Sequence, residues 1–281
     1  ARKLAAASDD AEDWVVTVTA YHLRFDRDLD QAARTLEKGT ERFPESTRLW
    51  RLLGDVHRQR RAWDEAADAF RRAVQLDPRD FASRLFLSLV QEKGGRLDEA
   101  ERTLREAVDV FPAEEDARLE LARFLVRTRR DVEGGLGILK KAVADAPRSI
   151  EAALALGNAC LRLKRYEEAL GVYEGLARDY PESTAVRYQL AIAYDELDRF
   201  DEAEKALRWC LEQDPEDGVA ANALGYLYAE RGMKLDEAKK LVGQALEQDP
   251  ENGAYLDSLG WVYYRQGDLE RAREYLRKAV D

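Results

Sequence analysis

The chain has 281 residues, 45% of them hydrophobic and 36% charged, with a formal net charge of −11 at pH 7. That is enough apolar material for a folded core, while so acidic a surface repels phosphate backbones and anionic lipid and argues against nucleic acid or a membrane face as partner. No apolar run approaches the roughly 18 residues of a spanning helix, and the two cysteines, Cys160 and Cys210, are too few for a disulfide framework.

Length alone suggests about two globular domains, but the internal periodicity points elsewhere. The prolines are Pro44, Pro78, Pro112, Pro147, Pro181, Pro215 and Pro250, spaced 34, 34, 35, 34, 34 and 35 residues apart, and none falls off this ladder. Twelve residues before each stands a small residue: Ala32, Ala66, Ala100, Gly135, Ala169, Ala203 and Ala238, with Ala272 continuing the series. In chain order, a lead-in over residues 1–12 is followed by eight units starting near Asp13, Thr47, Phe81, Glu115, Ile150, Thr184, Gly218 and Gly253.

Each unit reads as two helices. In the second, Trp50, Leu53, Gly54 and His57 fall on one helical face. After a polar turn, Asp64 to Leu76 forms a second amphipathic helix holding Ala66, Phe70 and Ala73. Proline then stops it, because it cannot continue the helix and biases the preceding residue away from helical angles. The first unit departs from the pattern with Thr19 and Ala20 where others have Leu-Gly. The fourth carries an extra residue near Arg127–Gly135, with Gly135 on the alanine ladder, and the seventh carries one near Met233–Lys234. These units are expected to be looser. The last unit repeats the scheme with Leu256, Leu259, Gly260, Tyr263, Ala272, Leu276 and Ala279.

A helix–turn–helix of this period, with a W-x2-L-G-x2-Y opening, a later alanine and a closing proline, resembles the tetratricopeptide repeat. The resemblance covers the chain from about Asp13 onward. It implies an all-α, right-handed superhelical solenoid of eight helix pairs, close to one superhelical turn, in which a single pair cannot bury its own apolar face but stacked pairs can. It also implies a concave channel lined by the first helix of each unit.

One stripe of those first helices is neither core nor convex surface. The partner-binding candidates on it are Leu85, Phe86, Leu89, Arg123, Asn158, Tyr188, Ile192, Tyr226, Trp261 and Tyr264. Leu119 and Val126 belong to the same stripe, and Tyr263 is read as core. Packing against the adjacent unit would account for many of the aliphatic members. An apolar, aromatic groove for an extended peptide or an amphipathic helix accounts for the set as a whole. Trp261 has no later unit to cover it, which raises self-association through the last repeat as a second use of that end.

No motif argues for catalysis, a cofactor or a metal. His22 and His57 have no ligand partner at helical spacing, and His57 occupies a core slot, as do Cys160 and Cys210. Acidic pairs such as Asp64–Glu65 and Asp201–Glu202 recur where second helices begin, where helix-end electrostatics explains them. The basic clusters Arg58–Arg61 and Arg127–Arg130 are read as solvated turns. A clamp for carboxylate tails is not expected, because Leu154 and other aliphatics stand where its lysines would be.

The leading expectation is a non-enzymatic scaffold or adaptor that captures a protein segment. The stretches ANALGYLYAERGMKLDEA and NGAYLDSLGWVYYRQG look like those of bacterial envelope repeat lipoproteins. That likeness implies a periplasmic or outer-membrane-anchored place, in envelope assembly or as a protease adaptor. A cytoplasmic assembly chaperone and the regulatory domain of a larger enzyme are the alternatives. The chain opens on Ala1 and its one methionine is Met233, so the natural start is expected to lie upstream.

Overall fold

The computed structural model describes residues 12–280, and among them every regular element is helical. The lead-in expected over residues 1–12 lies, up to residue 11, outside the described residues. The chain divides into two compact units, one running to Ile138 and the other from Leu139, with the division inside a helix.

The first unit contains α1 (Glu12–Tyr21), α2 (Leu29–Arg42), α3 (Thr47–Gln59), α4 (Trp63–Leu76), α5 (Phe81–Lys93), α6 (Leu97–Val110), α7 (Glu115–Arg127) and the start of α8 (Val132–Asp145). The second holds the rest of α8, then α9 (Ile150–Arg162), α10 (Tyr166–Asp179), α11 (Thr184–Glu196) and α12 (Phe200–Gln213). It ends with α13 (Gly218–Arg231), α14 (Leu235–Gln248), α15 (Gly253–Gln266) and α16 (Leu269–Val280). Within each unit, consecutive helices pack as antiparallel neighbours in a stack of helix pairs, the all-α solenoid architecture that the ladders imply.

Local chemistry starts and stops these helices. Two residues after most ladder prolines stands a capping side chain. Ser46, Asp80, Ser149, Ser183, Asp217 and Asn252 each accept a hydrogen bond from a backbone N–H in the first turn of the following helix. Between the two helices of each pair the chain reverses through a left-handed residue, and the α13–α14 turn holds a second, Lys234. The recurring ones are Arg27, Arg61, Gly95, Arg129, Lys164, Asp198, Gly232 and Gly267, with φ between 50° and 83°, again 34 or 35 residues apart. Only three are glycine, so the other five carry the steric cost of that conformation, about 1–2 kcal/mol each. Lys164→Gly should relieve it. Set against the extra freedom glycine gives the unfolded chain, a net stabilisation of about 0.5–1 kcal/mol is expected by denaturant unfolding, and a destabilisation would contradict this reading of the turn.

Small residues on both helices mark where the members of a pair touch. A Cβ added at Gly54 would lie 2.9 Å from ring carbons of Phe70, one at Gly157 would lie 2.4 Å from the Tyr173 ring, and one at Gly225 would meet Val242 at 2.6 Å. Gly135 corrects an expectation. It is not a loose point but a close approach, since a Cβ there would lie 2.8 Å from Val126 and 3.0 Å from the Ala122 carbonyl. The missing side chain lets Val126 pack onto α8, so Val126 is 2% exposed and is core, not channel lining. Leu119, on the same helix face, is likewise fully buried. In the first repeat, α1 gives way to a π-helical turn over His22–Asp26, and the out-of-pattern Thr19 is buried with its hydroxyl donating to the Val15 carbonyl.

The arginine clusters also differ from the expectation of solvated turns. Arg60 reaches Asp30 at 2.7 Å, Arg127 holds Glu92 through two hydrogen bonds, and Arg130 pairs with Glu101 and Asp98. Each partner lies about one repeat earlier in the chain, so these pairs tie one helix pair to the next. Single exposed pairs contribute little, but a row of them favours one register of stacking over its neighbours.

Candidate functional site

The first unit carries four of the candidate residues. Leu85, on α5, is half-buried against the cluster built on Ala100, Leu104, Leu121 and Phe124. Phe86 and Leu89, one turn apart, are both 36% exposed. Phe86 is stacked on Phe70 at 5.5 Å, and the Arg58 guanidinium lies 5.6 Å from its ring centre. On α7, Arg123 donates to Glu120 at 2.6 Å. On α5, Leu85 thus packs into the core while Phe86 and Leu89 keep part of their surface exposed.

The second unit brings more of the set together. Tyr188 and Ile192 on α11, with Asn222 and Tyr226 on α13, line one cleft of about 190 Å³. Helical geometry explains the grouping: 188 and 192, like 222 and 226, are one turn apart, so each pair shows one face to the same space. Ala191, Ala203 and Leu207 complete its apolar wall. Tyr188 is half-buried and packs against the main core cluster of this unit, whereas Tyr226 is 38% exposed. The Asn222 side-chain oxygen is buried and makes no hydrogen bond within the described chain.

Asn158, on α9, is exposed and accepts a hydrogen bond from the buried Tyr173 hydroxyl at 2.8 Å. Trp261, expected to be bare, is in fact half-buried. It packs on the core cluster and stacks on Tyr264 at 5.1 Å, which is itself 50% exposed. Its indole N–H is buried without a partner in the described chain. Tyr263 is core, 7% exposed. The structure gathers Tyr188, Ile192 and Tyr226 in one cleft, whose lining includes none of the other seven candidates.

Carboxylates rim the Tyr188–Tyr226 cleft. Asp195 and Glu196 line it directly. Burial pushes the Asp195 carboxyl up, against the lowering effect of its hydrogen bond from Arg231 at 2.9 Å. Glu230 is raised by burial and then by the nearby Asp195 charge. The Tyr226 phenol is raised by burial and then by the charges of Glu230, Asp257 and Asp195. Glu230 was not among the stripe residues read from sequence. It stands four residues after Tyr226, and that spacing is the signal that could have found it.

His57, Cys160 and Cys210, the residue types with reactive side chains, are internal. Burial lowers the His57 pKa, with help from Arg60, and holds the Cys210 thiol up to about 11. Cys160 is buried and likewise raised. No grouping of three or more metal-ligating side chains occurs among the described residues, and none of the described helices is long and apolar enough to cross a membrane. The cleft offers an apolar, aromatic surface with a negative rim, suited to holding a segment of another chain.

Comparison with known proteins agrees with this architecture. Tetratricopeptide repeat profiles match residues 2–214 and 234–281. A TPR repeat-containing protein of Pseudomonas aeruginosa is 30% identical over 194 residues, which is 66% of this chain and 32% of that protein. The chain therefore spans about a third of that relative's length. Among solved structures, yeast Tom70 aligns over 90% of this chain and 55% of its own, with a TM-score of 0.69 and 16% identity. A tetratricopeptide repeat protein from Parabacteroides merdae aligns over 84% of this chain and 99% of its own, with a TM-score of 0.62 and 16% identity. At that identity the two structures speak to the fold alone.

Proposed function

Because the chain belongs to the tetratricopeptide repeat family, we propose that it is a non-enzymatic scaffold that captures a segment of a partner protein on the inner faces of its first helices. The observation that carries this reading is the cleft between α11 and α13, where Tyr188, Ile192 and Tyr226 meet over an apolar wall. Aromatic anchors half-set in a core lose little side-chain freedom on binding, which is why such residues dominate protein interfaces. The exposed edges of Phe86 and Leu89 in the first unit are a second stretch of the same kind.

Tyr188→Asp combined with Ile192→Asp is expected to abolish capture of partner proteins from the source cell while leaving helicity intact. Tyr188 also packs on the core, so Tyr226→Asp, at a more exposed position, serves as the milder companion. Capture unchanged in both variants would remove the groove from the account.

The finer placement we propose is an adaptor in the bacterial cell envelope, in assembly or in delivery to a protease. The residue pattern of the last two repeats supports it, and the Pseudomonas relative supports a bacterial setting. Recovery of the protein in a cytoplasmic fraction alone would favour the assembly-chaperone alternative. Self-association through the last repeat belongs to the same proposal. Its support is the exposed apolar surface of Tyr264 and Leu269.

A further inference from the structure

We propose that the cleft between α11 and α13 selects a basic, apolar segment of its partner, seating a lysine or arginine side chain beside Tyr226 and an aliphatic or aromatic one against Tyr188 and Ile192. This rests on the scaffold reading above and specifies the chemistry of the guest.

The inference comes from a charge census of the cleft. Asp195 and Glu196 line it, and the charges of Glu230, Asp257 and Asp195 all act on the Tyr226 phenol, which lines the same cleft. Asp198 lies beside them, close enough to Glu230 to raise its carboxyl further. Against these five carboxylates stand two guanidinium groups. Arg231 is already shared between Asp195 at 2.9 Å and Asp198 at 3.3 Å. Arg265 donates to the backbone carbonyl of Glu230, not to its carboxylate. Glu230 and Asp257 make no ion pair among the described residues, whereas Asp195 and Asp198 beside them share Arg231. The cleft thus holds an excess of negative charge against apolar walls, where fields are screened less than in open water.

The ring of Tyr226 points the same way. Elsewhere in this unit, cations already sit over tyrosine rings: Arg199 over Tyr194 at 4.7 Å, Lys234 over Tyr228 at 4.7 Å, and Lys239 over Tyr263 at 5.0 Å. Tyr226, 38% exposed and sharing its cleft with Asp195 and Glu196, has none among the described residues. A guest ammonium or guanidinium placed there would meet the ring face and the unmatched carboxylates together. The buried Asn222 oxygen on the same wall offers an acceptor to a guest N–H. The same census disfavours other occupants. An acidic tail would be repelled, and a second copy would bring a surface with a net charge of −11.

The test pans the full chain against a random library of displayed peptides, about 12 residues long to span two or three helix faces. Retained peptides are sequenced and measured against the wild type, the Glu230→Gln/Asp257→Asn variant and the Tyr188→Asp/Ile192→Asp variant. Both acids lack ion-pair partners, and the surroundings of Glu230 disfavour its charge, so their neutralisation should not lower the melting temperature. The expected result is enrichment of peptides carrying lysine or arginine within one helical turn of a large apolar residue. Their affinity should fall about tenfold or more in the neutralised variant, and by a similar factor between about 50 mM and 500 mM salt. Retained peptides that are neutral or acidic, yet lost in the Tyr188→Asp/Ile192→Asp variant, would overturn the charge selection and leave the scaffold reading standing. So would a dimer in light scattering that Tyr226→Asp disperses. Retention indifferent to the Tyr188→Asp/Ile192→Asp variant, or no retention above bare support, would overturn both.

Discussion

Phe70→Ala should destabilise the first unit by about 3–5 kcal/mol, the range for emptying a well-packed aromatic site. Phe70 has no exposed surface, and it packs with Ala66, Ala67, Leu87 and Val90. Its ring stacks on Phe86 at 5.5 Å and presses on the backbone at Gly54, where a Cβ would stand only 2.9 Å away. Among the neighbours, Gly54 on the paired helix and Ala66 and Ala67 on its own have no side chains that could swing in to refill the space, so much of the cavity would stay open. Phe86→Ala is the internal control. That ring is 36% exposed, and its removal should cost about 1–2 kcal/mol. Chemical denaturation followed by circular dichroism separates the two. A Phe70→Ala cost under about 1 kcal/mol would mean that the helix pair collapses around the gap.

The second large effect is a pH dependence centred on Glu204. Burial alone would raise this carboxyl, which is 17% exposed, but Lys234, Arg208 and the buried Tyr228 hydroxyl all donate to it and hold it down to about 2. Its ordinary value is 4.5. A folded-state value below the unfolded one means stability that is fully present above pH 4.5 and is lost as the pH falls toward 2. The group's share is at most about 3 kcal/mol, from 1.36 kcal/mol per unit of pKa difference. Wild type and Glu204→Gln should therefore differ most near neutral pH and converge as the pH approaches 2, read from urea midpoints across that window. A gap that stays constant with pH would show that the four groups contribute by packing rather than by charge.

These two sites show how unevenly the molecule can be read from its residues. The proline and alanine ladders are visible because their roles admit few residue types: only proline ends a helix so reliably, and only a small side chain tolerates the approach at Ala66 or Ala203. Phe70 could be placed in the core on that basis. The left-handed turn ladder was hidden, because five of its eight positions hold arginine, lysine or aspartate, and its regularity lies in φ and not in side chains. The ties between successive repeats were hidden too. Arg127 with Glu92, and Glu204 with Lys234, are 35 and 30 residues apart, and each residue alone looks like a solvated charge.

The candidate site was legible in outline. Helical spacing placed Tyr188, Ile192 and Tyr226 on one stripe, and the structure joins them in a cleft with Asn222. Spacing could not separate surface from contact within the stripe. Leu119 and Val126 share its periodicity but are buried, since a missing side chain at Gly135 draws α7 and α8 together. Trp261 was misjudged for a related reason: stacking on Tyr264 and packing on the core cover much of an indole that the linear sequence leaves uncovered. The acid excess around Tyr226 emerges only when α11, α13 and α15 are brought together, because Asp195, Glu230 and Asp257 are dispersed among many matched charges.

Partner capture by the Tyr188→Asp/Ile192→Asp variant, measured beside the wild type at equal helicity and in the same extract, tests the groove most directly. The account predicts that bands recovered with the wild type disappear with the variant and are weakened with Tyr226→Asp. The same bands at the same intensity in all three would place the binding surface elsewhere on the molecule.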